Sequence, residues 1–139
     1  MNRTILYIEK GNRSTIVHYI NDELEELDIL PERYLDNLCL TELTTLDGRV
    51  NAIKKKYHII KNVPIYIKEN LVLFPTHNKK SLDNVYLNSI YIKSIEGTSD
   101  KTKIIFYDNQ EVLVNKDVHL LKVNYEKCLK INNQINQYC

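Results

Sequence analysis

The chain has 139 residues, 43% of them apolar, and a formal net charge of +1. That is the size of one ordinary domain with enough apolar material for a core. No apolar run approaches the roughly 18 residues of a membrane span. Glu9 and Lys10 interrupt the N-terminal segment too early for a signal-peptide core, so a cytoplasmic protein is expected.

In chain order, "TILYIEK" and "STIVHYI" predict a hairpin across Gly11-Asn12, a pair that tolerates positive φ. The acidic stretch "NDELEELDIL" follows, and Pro31 opens a short helix over "PERYLDNLCL". Asp47-Gly48 reads as a turn. From there "AIKKKYHII", "VPIYI" and "NLVLF" read as strands, with Pro64 at a strand start or edge and Pro75 ending the third. "VYLNSIYIKSIE" is long and strand-like, and "KTKIIFY" with "QEVLV" predicts a second hairpin across Asp108-Asn109. After Asn115 and Asp117, either suited to cap a helix, the spacing of Val118, Leu121, Tyr125, Cys128 and Ile135, with Leu129 alongside, is helical. The expected class is α+β, mainly β. One domain over residues 1–139 would hold an antiparallel sheet or barrel-like β unit, a short helix in the N-terminal half and a C-terminal helix.

Charge is unevenly placed. Residues 1–47 hold four Lys/Arg against ten Asp/Glu, a balance of −6. Residues 49–80 hold eight (Arg49, Lys54, Lys55, Lys56, Lys61, Lys68, Lys79 and Lys80) against Glu69 alone, a balance of +7. Residues 81–139 are balanced. A basic block attracts polyanions whatever the total charge.

The residue pattern argues against an enzyme, and no catalytic residue, metal or cofactor is expected. Cys39, Cys128 and Cys139 are scattered and read as reduced thiols. His18, His58, His77 and His119 show no metal-ligand spacing. The nine-residue gap between His119 and Cys128 does not put them on one helix face, and Gly11, Gly48 and Gly97 stand singly, without a phosphate-cradling motif. The acidic cluster of Asp22, Glu23, Glu25, Glu26 and Asp28 reads as a solvated or partner-facing surface, which could also shield a basic groove.

Three elements stand in order between Asn62 and Glu96: Val63-Pro64-Ile65, Phe74-Pro75-Thr76, and Tyr86-Leu87-Asn88-Ser89-Ile90-Tyr91-Ile92. With the following "TKIIFYDNQEVLV", they resemble the ComK family of bacterial competence transcription factors, over roughly Gly48 to Lys130. The chain looks like a short or divergent member. "LTELTTLDGR" stands where the family has a Cys-Arg-Phe/Tyr-Gly-x-Ser-Tyr segment, Tyr86 stands at its usual Trp, and a longer C-terminal extension is expected to be missing. The resemblance implies an activator of DNA-uptake genes that binds paired A/T-rich boxes, largely through the minor groove, as dimers that assemble further. It also implies contacts with a proteolytic adaptor and RNA polymerase.

On that reading Arg49, placed after a turn, is the candidate for minor-groove insertion. Lys54, Lys55, Lys56, Lys61, Lys79 and Lys80 are candidate phosphate contacts, and Thr76 and Asn78 candidate contacts to sugar or base edges. Strand alternation would send Lys54 and Lys56 to one face and Lys55 to the other. Phe74 is expected in the core, and His77 as a loop histidine. Val118, Leu121, Tyr125 and Cys128 are the candidate dimer or partner seam. A second resemblance, of "ILYIEKGNRSTIVHY" and "YIKSIEGTSDKTKIIFYDNQEVLV" to LytTR-type domains, also implies DNA. The alternative is a shortened paralogue or LytTR-like regulator that acts by protein–protein pairing and binds DNA weakly.

Overall fold

The computed structural model describes residues 3–136. Six antiparallel strands, β1 (Ile5–Lys10), β2 (Thr15–Tyr19), β3 (Leu24–Leu27), β4 (Ile65–Lys68), β5 (Leu71–Pro75) and β6 (Val85–Asn88), form one sheet. Its order is β3-β2-β1-β6-β5-β4. A second antiparallel sheet holds β7 (Ile92–Gly97), β8 (Thr102–Phe106) and β9 (Glu111–Val114). Helices α1 (Pro31–Thr41) and α2 (Leu46–Tyr57) pack on one face of the larger sheet. The smaller sheet and α3 (Val118–Asn136) pack on the other. The fold is α+β and mainly β, and the strands close into no barrel. Cys139 lies outside the described residues.

Layering explains the apolar runs. In β5, Leu71 and Leu73 face the helices while Val72 and Phe74 face the second sheet and α3. A strand buried on both faces has no polar alternate, so "LVLF" is continuous. In β1 the register shifts between Ile5 and Tyr7, which turns the successive residues Leu6 and Tyr7 to the same core. Pro64 stands just before the edge strand β4, where its missing N–H costs no ladder bond.

Four expectations are corrected. First, residues 46–57 form a helix and not a turn followed by a strand. Leu46, Val50, Ile53 and Tyr57 recur at spacings of four, three and four and all pack inward. That stripe outweighs the β preference of Ile and Tyr. Gly48 lies in the first turn, where its amide donates to the capping Thr45 Oγ1 at 2.9 Å. Thr45→Ala is expected to cost about 1 kcal/mol, read as a lowered urea midpoint at unchanged slope.

Second, the left-handed residue of the first hairpin is Arg13 (φ 59°), and neither Gly11 nor Asn12 has positive φ. Gly11 is required for space, since a Cβ there would strike Ser14 Oγ. Third, "VYLNSIYIKSIE" is two strands on different sheets, divided by a 3-10 turn at Ser89–Tyr91. Asn88 holds this break. Its Nδ2 donates to the carbonyls of Ile5 (2.8 Å) and Asn70 (3.0 Å), and its Oδ1 accepts from the amides of Val72 and Ile90, both at 3.3 Å.

Fourth, the α3 stripe belongs to the chain's own core. Leu121 and Cys128 are fully buried, Tyr125 tilts against Phe74 at 6.3 Å, and Val118 is half-buried against Gly97. As a seam for another subunit, Leu121 and Cys128 present no free surface. Asp117 occupies the cap position, its carbonyl accepting from Leu121 at 3.2 Å. The Asn115 side chain instead reaches Asp83.

Buried tyrosines set an alkaline limit. Burial, then the charge of Glu9, pushes Tyr7 up to about 12. Burial, then Glu32, does the same for Tyr86. Below pH of about 10 both phenols are protonated folded or unfolded, so their contribution is constant. Between about 10 and 12 the unfolded chain loses protons that the native state keeps, so stability falls as pH rises. Unfolding midpoints measured across that window, with tyrosinate absorbance followed in parallel, are expected to show the decline beginning near 10.

Candidate nucleic-acid interface

Sheet order converts the sequence's charge blocks into geometry. The acidic stretch forms the β3 edge, and the basic stretch, through α2 and the residues flanking β4, forms the β4 edge. Five strand spacings of about 4.8 Å separate these edges by roughly 24 Å. Within one chain the acidic stretch therefore does not cover the basic one. It makes local contacts instead: Glu23 and Glu25 pair with Arg3 at 3.6 and 3.8 Å, and Glu26 accepts from Ser14 Oγ.

Register places the loops. Ile65 opposes Leu73, Pro75 opposes Tyr86, Glu9 opposes Val85, and Lys10 opposes Thr15. The segment entering β4, the β5–β6 loop and the tip of the β1–β2 hairpin thus leave the same end of the sheet. Lys61, Lys79, Lys80, Lys10 and Arg13 lie on these segments, and α2 delivers Lys54, Lys55 and Lys56 in its last turn. From β2 to β4 this end spans four spacings, roughly 19 Å, enough to reach phosphates on both sides of a DNA groove. Glu32 stands at this same end, lining a small hollow with Lys10, Lys79 and Tyr86.

The predicted contacts fare differently. Lys54, Lys55 and Lys56 are all exposed. At 100° per residue the helix sets Lys54 and Lys56 about 200° apart with Lys55 between them, the reverse of the strand expectation. Lys61, Asn78, Lys79 and Lys80 are exposed, and Asn78 Oδ1 accepts from the Lys80 amide at 2.9 Å, which shapes the loop. Thr76 is 0% exposed and has no surface to offer a base or sugar. Its hydroxyl accepts from the Val85 amide (3.0 Å) and bonds His77 Nδ1 (2.7 Å). His77 Nε2 in turn bonds the Asn115 carbonyl at 2.8 Å, so this histidine clamps the loop to the β9–α3 junction. A carbonyl only accepts, so Nε2 donates to it.

Arg49 is not on a loop. It is half-buried in α2, its charge is felt at Cys39 of α1, and its Nε is buried without a hydrogen-bond partner among the described residues. Sequence reasoning missed Lys10 and Arg13, which sit in the acidic half of the chain. The hairpin tip between them was the available signal. His119 is exposed and Cys128 is buried, its thiol pushed up to about 12 by burial.

A family model described as ComK protein matches residues 7–138, nearly the whole chain. The chain belongs to the ComK family. No curated protein and no solved structure gives a significant match. Most residues of the three elements that carry the ComK resemblance are interior. Val63, Pro64 and Ile65 are buried at the β4 edge, Phe74 is fully buried, and Tyr86, Leu87, Asn88 and Ser89 line or pin the sheet. The shared pattern therefore records a fold whose loops are displayed at one end. ComK membership carries the expectation of a competence transcription factor. No helix among the described residues is long and apolar enough to cross a membrane.

Proposed function

We propose that the chain is a DNA-binding transcription factor that activates competence genes and engages A/T-rich duplex at the loop end of its larger sheet. The observation that carries this reading is the convergence at one end of the larger sheet of lysines from α2, the β4 approach and the β5–β6 loop. Arg13, exposed with positive φ at a hairpin tip, takes the role first given to Arg49: an arginine held out toward a narrow minor groove. The loop lysines, with Asn78 among them, hold phosphates and set orientation. Binding as a dimer matches paired boxes, because each copy engages one box.

A titration of an A/T-rich duplex against salt tests it. Engagement of about five phosphates gives a log–log slope near −4.5. A duplex that fails to bind at low salt, or binds without salt dependence, defeats the reading.

A further inference from the structure

A groove of about 590 Å³ lies where the end of α2 meets α3. Ile59, Ile60 and Ile131 line it with the Tyr57 ring, Lys61, Lys127 and Lys130 stand among them, and no carboxylate lines it among the described residues. A neighbouring hollow of about 340 Å³ shares His58, Ile59 and Ile60 and adds Lys54. His58 (φ 56°) and Asn62 (φ 50°) both adopt left-handed backbone, and between them Ile60 stands 84% exposed. The Tyr57 hydroxyl is buried without a hydrogen-bond partner among the described residues.

We propose that this groove is a docking site for an acidic amphipathic helix of a protein partner. The argument is charge complementarity joined to shape. Lysines from two separate elements surround an apolar floor, and a volume of this size receives the anchor side chains of a helix laid in a groove. Leucine or isoleucine anchors at helical spacing would cover Ile59 and Ile60, while Glu or Asp on the flanks would meet Lys61, Lys127 and Lys130. Duplex DNA fits less well, since phosphates gain nothing from a concave isoleucine surface. The proposal does not depend on DNA binding.

The test uses the full chain and a fluorescein-labelled synthetic helix with Leu at i, i+3, i+4 and i+7 and Glu at the polar positions. Saturable binding by anisotropy is expected. It should weaken about tenfold in Ile60→Ser and in Lys127→Ala/Lys130→Ala, and for a probe with Ser in place of Leu. Ile60 is exposed, so its variant keeps the fold, and A/T-rich duplex affinity should not change in it. Absence of saturable binding, or equal binding of the serine probe, overturns the proposal. So does a parallel loss of duplex affinity in Ile60→Ser, which would assign the groove to DNA.

Discussion

Asn88→Leu is expected to lower stability by about 3–5 kcal/mol, a large share of the 5–15 kcal/mol typical of a folded domain. The side chain is fully buried and makes four hydrogen bonds, two from its amide nitrogen and two to its oxygen. Leucine fills similar volume but leaves two carbonyls and two amides without these partners, each costing about 1–3 kcal/mol, not additively. Asn88→Asp should be no milder. The carboxylate keeps the acceptor, loses both donors and buries a charge. Urea unfolding at neutral pH gives the measurement. A midpoint shift equivalent to less than about 1 kcal/mol would show that the break between β6 and β7 is held by something other than this amide.

Replacing Lys61, Lys79 and Lys80 together by alanine is expected to weaken A/T-rich duplex binding about 100-fold at 0.15 M salt and to make the salt slope shallower by about 2.7. All three side chains are exposed, so the unfolding midpoint should barely move. Lys68→Ala/Lys93→Ala removes two charges, Lys68 from the far end of β4 and Lys93 from the second sheet, and should leave duplex affinity nearly intact. Logarithmic losses in the ratio of charges removed, three against two, would mean that net charge, and not the loop end, governs binding.

Much of the fold was legible because the local signals agreed. Both hairpins, the helix at Pro31, the end of β5 at Pro75 and the C-terminal helix follow from alternation, turn residues and a spacing of three and four. Helix α2 was legible in principle through Leu46, Val50, Ile53 and Tyr57. The Asp47-Gly48 turn signal and the β-forming Ile and Tyr pointed the other way. The division of β6 from β7 had only a weak local signature, the Asn88 side chain accepting from the Ile90 amide, because Asn88 makes its other bonds to Ile5, Asn70 and Val72, which only the fold supplies.

The candidate site divides in the same way. Residue type alone marked Lys54, Lys55, Lys56, Lys61, Lys79 and Lys80 as exposed cations, because a long charged side chain is rarely buried. Residue type could not say that the Thr76 hydroxyl is consumed inside the loop, that Arg49 is half-buried in a helix, or that Lys10 and Arg13 join the basic end.

The sequence by itself determined the α+β class, the family, and the opposed charge of two neighbouring blocks, all properties of order and composition. Only the tertiary structure decided where those blocks lie. Antiparallel pairing inserts β6 between β1 and β5, and this carries the acidic strand and the basic strand to opposite edges of one sheet. Charges adjacent in the chain are thereby held apart in space, leaving the basic loops uncovered by the chain's own acidic strand.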